Sequence, residues 1–182
     1  MAIQKILTVP NPLLHQKSKP VNLLVSKKVK KIIQDLLETV KNASEPAGLG
    51  LSAIQIGKPV RIFVAKIGKK FEVFINPKII AHSKETLTQI LKKDQLFFEG
   101  CLSLPGIYGF VDRPYQVKIE WQDLQGKKHF KKLVNKESVC VQHELDHLNG
   151  ILFTQRILKQ KGKIYQLKKQ KGKEVFEEFT IK

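Results

Sequence analysis

The run His143-Glu144-Leu145-Asp146-His147 sets the strongest condition on how this 182-residue chain can fold. Two histidines four residues apart rise only ~6 Å along a helix and project from one face toward one ion. The glutamate after the first histidine lies close enough to bond a water at that ion without itself being a ligand. The chain must therefore form a helix over Val139–Leu148, ended by Asn149-Gly150, and fold other elements against its histidine face. A catalytic metal site usually takes three protein donors and leaves one position open, so a third donor is needed. Cys140 shares the helical face, but it precedes His147 by seven residues, a rise of ~10.5 Å, and reads better as a packed core residue beneath the site. Cys101, in Glu99-Gly100-Cys101-Leu102-Ser103 just ahead of Pro105-Gly106, can reach the ion from a turn outside the helix. Spacing permits Cys101 without selecting it, and the pentapeptide by itself also admits a surface helix with scattered charges.

The rest of the chain supplies short elements without a βαβ alternation. Val29, Ile32, Ile33, Leu36, Leu37 and Val40 repeat at helical spacing, with Ser26 as N-cap and Pro46 beyond the end. Val60–Lys66 and Phe71–Ile75 flank Gly68-Lys69-Lys70 as a hairpin closed by Asn76-Pro77, and Tyr115–Trp121 with Lys128–Leu133 form a second around Asp123–Gly126. Ser83–Phe98 has a weak pattern, that of a loop with a short helical turn. From about residue 155 the sequence reads as a lysine-rich tail, nine Lys/Arg against three Glu, with Gly162 and Gly172 interrupting any long helix. The expected fold is α+β, a single domain of antiparallel strands and hairpins packed around the metal-binding H-E-x-x-H helix.

Composition narrows the function classes. No apolar run reaches the ~18 residues that span a bilayer, and Met1–Pro10 breaks its apolar stretch too early for a secretory signal, so a cytoplasmic, non-membrane protein is expected. In that reducing compartment Cys101 and Cys140 are expected to pack, bind metal or react rather than form a disulfide. The net charge of +17 draws polyanions in a salt-dependent way. The basic residues are not interleaved with stacking aromatics, so no sequence-specific nucleic-acid function is expected.

Three separated segments, in order, resemble the peptide deformylase family. Gly48-Leu49-Gly50-Leu51-Ser52-Ala53-Ile54-Gln55 is similar to its G-Φ-G-Φ-A-A-x-Q motif, Glu99–Ser103 to E-G-C-Φ-S, and Gln142–Gly150 to Q-H-E-x-D-H-L-x-G. The resemblance extends to Asn11-Pro12, Asn76-Pro77 and Arg113-Pro114. It implies removal of the N-formyl group from the initiator methionine of nascent peptides, with Cys101, His143 and His147 as metal ligands and Glu144 as the proton-transfer group. It further implies that Gln55 and the Leu102 N–H hold the formyl oxygen, that the Gly50 backbone aligns the peptide, and that Leu49, Val139 and Cys140 line the methionine pocket. One thiolate and two imidazoles suit Zn²⁺ on ligand chemistry alone. The resemblance instead implies Fe²⁺ in the cell, with Zn²⁺, Ni²⁺ or Co²⁺ able to replace it. It also implies action on chains emerging from ribosomes, to which the basic tail would dock.

The sequence departs from the family pattern in places. Ser52 stands where alanine is usual, Lys136 where an apolar residue is common, Tyr108 where some members carry arginine, and Ser83–Phe98 is longer than in the shorter bacterial members. Two other readings stay open at this level. One is a zinc peptidase, which shares H-E-x-x-H; the other is a non-catalytic basic module with a decayed metal site.

Overall fold

In the computed structural model, which describes residues 3–22, 27–44, 47–170 and 173–179, strand order explains most of the burial. Strands β1 (Gly50–Ser52), β2 (Ile62–Ile67), β3 (Lys70–His82), β6 (Gln116–Gln122) and β7 (Lys128–Val134) form one sheet in the order β1-β2-β3-β6-β7. Strands β4 (Glu99–Cys101), β5 (Leu104–Gly109), β8 (Ile164–Gln170) and β9 (Lys173–Glu178) form a second, in the order β4-β5-β8-β9. All pairings between these strands are antiparallel, as the α+β reading expects.

The first sheet is covered on both faces, and the two-residue period of β2 sorts its side chains between them. Ile62 and Val64 pack with Val29, Ile32, Ile33, Leu36 and Val40 of helix α1 (Lys27–Lys41). Phe63, Ala65 and Ile67 point the other way and pack with Val141 and Leu148 of helix α3 (Asn135–Leu148), which carries both histidines of the pentapeptide. That double burial is why Val60–Lys66 is nearly all apolar rather than alternating. Ser26 and Pro46, read as the signals bounding α1, lie outside the described residues. Ser83–Phe98 contains one short helix, α2 (Leu87–Ile90), and a single 3-10 turn at Lys93–Gln95.

Two expectations are corrected. Asn76-Pro77 does not close the first hairpin, because β3 continues to His82 through an irregular pairing between Ile75 and Lys78. A bulge tolerates a proline that lacks an N–H. Asn76, at φ +49°, restores the lost bonds with its side chain: Oδ1 accepts from Val21 N at 2.8 Å, and Nδ2 donates to Val21 O and Gln122 Oε1, each at 2.9 Å. The stretch from about residue 155 is not a tail. Its first part belongs to helix α4 (Phe153–Lys159), whose Phe153 and Ile157 pack with Cys101, Val111 and Ile164, and Ile164–Gln170 and Lys173–Glu178 form the paired strands β8 and β9, with β8 also paired to β5. The helix stops at Lys159, in keeping with the interruption expected at Gly162, whose N–H donates back to Ile157 O at 2.9 Å.

Candidate metal centre and cavity

Helix α3 is fixed at its C-terminal end before any chemistry is considered. Helix ends leave carbonyls without helical partners. The Leu148 carbonyl accepts from Ser18 N at 2.9 Å and Arg61 Nη1 at 3.5 Å, and the same guanidinium donates to Asn149 Oδ1 at 3.0 Å. Gly150 turns the chain at φ +72°, where a Cβ would overlap the His15 carbonyl. Strand β4 meanwhile delivers Cys101 from the second sheet to the histidine face.

The Cys101 Sγ and one nitrogen from each of His143 and His147 lie within 4.8 Å of one another, and all three side chains are buried. Sγ is 3.2 Å from His147 Nε2 and accepts from the Ser103 N–H at 3.4 Å. His143 Nδ1 is 2.8 Å from Glu99 Oε2, which leaves Nε2 as the nitrogen available to the cluster. One thiolate-forming sulfur and two imidazoles, one of them oriented by a carboxylate, form a donor set that fits a borderline-soft divalent cation. The second cysteine does not join this group: Cys140 Sγ faces Leu49 O at 3.4 Å, and the thiol lines a cavity instead of lying beneath the site. Burial, with Glu144 and Glu99 nearby, pushes that thiol far above its ordinary range.

Behind His143 runs a chain of buried charge. Arg113 donates from Nε to Glu99 Oε1 at 2.5 Å, from Nη2 to Glu99 Oε2 at 3.0 Å and from Nη1 to Asp146 Oδ2 at 2.8 Å. Arg156 Nη2 meets Asp146 Oδ1 at 2.6 Å from the outer side. Burial alone would raise the Glu99 pKa, but the Arg113 charge and the hydrogen bonds from His143 and Arg113 overcome it and bring it down to about 2. Arg113 loses stability as a cation through desolvation, yet Glu99 and Asp146 hold it even more firmly protonated than usual. Only three of the chain's 33 basic residues are arginine, and all three hold α3 or the groups beside it. The rigid guanidinium fork suits such paired contacts, which a lysine point charge cannot reproduce. Sequence motifs alone assign no role to Glu99, Arg113 or Asp146. The signal available was the rarity of arginine in so lysine-rich a chain, together with acidic residues inside otherwise buried motifs.

A cavity of about 250 Å³ opens beside the cluster. Its lining includes Gln55, Cys101, Leu102, His143 and Glu144, and also Gly50, Leu49, Val139 and Cys140, so nine of the residues singled out above share one space. His147 is buried and is not part of the lining. The glycine-rich segment reaches the cavity as the edge strand β1, registered Gly50↔Ala65 on β2. A Cβ at Gly50 would overlap Oε1 of Glu144, so the glycine makes room for that carboxyl. Ser52 Oγ donates to Glu144 Oε2 at 2.7 Å, an added bond that the usual alanine could not make. Burial raises the Glu144 pKa to about 7, against the opposing effects of His143 and the Ser52 hydroxyl. Gln55 is oriented by the Ser52 N–H, which donates to its Oε1 at 2.8 Å, so its Nε2 is aimed at Ser103 Oγ (3.1 Å) and Cys101 Sγ (3.7 Å).

The mouth holds residues without an assigned role at the level of sequence. Phe97 and Phe98, at the end of the weakly patterned segment, line it with Tyr108 and Lys136, and the Lys136 ammonium lies 5.5 Å from the centre of the Phe97 ring. Among the described residues no helix is long and apolar enough to cross a membrane, and both cysteines are free.

Comparison with known proteins agrees with this geometry. Residues 3–163 match the polypeptide deformylase family. A peptide deformylase from Rhodopseudomonas palustris is 39% identical over 179 residues, covering 94% of this chain and 93% of that protein. Among solved structures, the peptide deformylase from Thermotoga maritima superposes with TM-score 0.75 at 31% identity, covering 86% of this chain and 98% of its own. The one from Legionella pneumophila gives 0.74 at 35%, covering 85% and 86%.

Proposed function

Since the chain belongs to the polypeptide deformylase family, and so is a hydrolase that removes the N-formyl group of nascent peptides, we propose that Cys101, His143 and His147 hold its divalent metal and that Glu144 moves the protons. The observation that carries this reading is the approach of one sulfur and two imidazoles beside a cavity that Cys101, His143 and Glu144 line. On this reading α3 is the central helix of the fold, supplying two donors and the acid/base group from consecutive residues and one further turn. A divalent ion held there would supply Lewis acidity and a water acidic enough to react near neutral pH.

The remaining roles are those the family resemblance implies, and the positions of the side chains support them. Glu144, held by Ser52 and left unobstructed by Gly50, accepts a proton at its carboxylate and returns one to the departing amine. Gln55 Nε2 and the Leu102 N–H donate to the formyl oxygen, where charge grows as the amide is attacked. The fixed orientation of the Gln55 amide supports this, because its donor end already faces the Cys101 side. The Gly50 backbone aligns the peptide, and Leu49, Val139 and Cys140 receive the methionine side chain. Iron is the ion we assign in the cell, with Zn²⁺, Ni²⁺ or Co²⁺ as replacements; a thiolate ligand beside Fe²⁺ makes the site oxygen-sensitive. A cytoplasmic enzyme meeting chains at the ribosome is the matching setting, and the excess of lysine over glutamate beyond residue 155 supports docking there.

The test compares a formyl-Met peptide with its acetylated counterpart, using anaerobically prepared iron-loaded protein. Formate release from the first alone is expected. Release of acetate at a comparable rate, or internal cleavage of either peptide, would contradict the assignment.

A further inference from the structure

We propose that the β8–β9 hairpin is a specificity element of the cavity, reading a large apolar side chain downstream of the formylated methionine. The family match ends at residue 163, one residue before β8 begins, so the hairpin lies outside it. The register nevertheless ties it to the cavity wall. Gly100 pairs with Tyr108, and Tyr108 with Tyr165, so these positions share one face of the second sheet. Phe176 pairs with Leu167, two residues beyond Tyr165, which places it on that same face. The alternate positions, Ile107 and Ile164, belong to the core cluster around Phe153 and Ile157 of α4. One face thus anchors the hairpin while the other presents aromatic rings.

Those rings touch the cavity lining directly. Tyr165 stacks on Phe98 with centroids 5.0 Å apart and planes 17° from parallel. Phe176 meets both lining rings edge-on, Phe98 at 5.5 Å and Tyr108 at 5.3 Å. Gly100 permits this, because a Cβ there would sit 2.6 Å from Tyr108 Cε1. Phe98 and Phe176 remain 41% and 47% exposed, so the platform is continuous with the cavity yet open at its mouth. The platform therefore stands at the Phe98 and Tyr108 side of the cavity, within reach of peptide residues that extend beyond one seated inside it. Two lysines of this region are paired, Lys163 with Glu178 and Lys168 with Glu177.

The proposal rests on the cavity being the formyl-peptide site, and the experiment separates the two. Formate release is measured for formyl-Met-Ala-Phe and formyl-Met-Ala-Ser with the full chain and its Tyr165→Ala, Phe176→Ala, Tyr165→Phe and Phe176→Leu variants, alongside bound metal. The parent should favour the phenylalanine peptide about fivefold in kcat/KM, a size typical of one aromatic contact. The alanine variants should lose that preference through KM, with kcat and metal content unchanged, while Tyr165→Phe and Phe176→Leu keep most of it. No preference in the parent, or an intact preference in both alanine variants, overturns the proposal while leaving the cavity assignment standing. No formate from either peptide in the metal-loaded parent overturns both.

Discussion

The inner end and the mouth of the cavity are held by opposite means. At the inner end, the side chains of Asp146, Arg113, Glu99 and His143 are buried and joined by charged hydrogen bonds, with the half-exposed Arg156 closing the chain on the outer side. At the mouth, aromatic rings lean on one another with large faces still open to solvent. Directional bonds in a dry setting fix atoms to a few tenths of an ångström, which acid/base and metal chemistry require. Stacked rings supply area without a unique partner and so suit a substrate that varies beyond its first residue. The chemistry and the recognition of variable sequence are thereby assigned to regions that can change independently.

The largest effect is expected from Glu144→Gln, which keeps the shape of the inner end but removes its proton acceptor. Turnover should fall ~10²–10⁴-fold while bound metal, measured by elemental analysis, stays at the parent level. Retained activity would break the assignment. Arg113→Leu tests whether the charge chain is structural: it removes the buried cation that Glu99 and Asp146 share, leaving Glu99 with His143 and Asp146 with Arg156, and should cost about 3 kcal/mol in denaturant unfolding. Conservation of stability would mean that this end is not rigidified by the pair. Gly50→Ala drives a methyl into the Glu144 carboxyl and should reduce kcat/KM by about ten- to a hundredfold, because small displacements of a catalytic group are costly. The smallest effect sharpens the boundary between the two regions. Cys140 faces the cavity, but burial and the neighbouring carboxylates keep it a thiol, so alkylation followed by mass spectrometry should be slow at neutral pH and rise only in strong alkali.

These regions also differ in how far the sequence reveals them. The helix bearing His143 and His147 and both hairpins follow local rules, since apolar periodicity and turn residues suffice to place them. His143, Glu144 and His147 stand out because metal chemistry restricts side chains at fixed spacings. Spacing alone leaves Cys101 and Cys140 both open; the family resemblance favours Cys101, and the fold brings its sulfur beside the two imidazoles. Beyond Gln155, net charge dominated the reading and hid an alternation at Ile164, Tyr165, Leu167 and Phe176 that serves two faces of a strand pair. Asn76-Pro77 misled for a related reason: side-chain bonds to Val21, a residue 55 positions away in sequence, let the strand pass a proline.

The most direct test of the metal centre is X-ray absorption at the zinc edge of zinc-substituted protein, parent against Cys101→Ser. The zinc in the parent should show a single protein sulfur and two imidazole nitrogens, and that sulfur should be lost in the variant. A shell without sulfur in the parent, or one in which sulfur survives replacement of Cys101, would contradict that assignment.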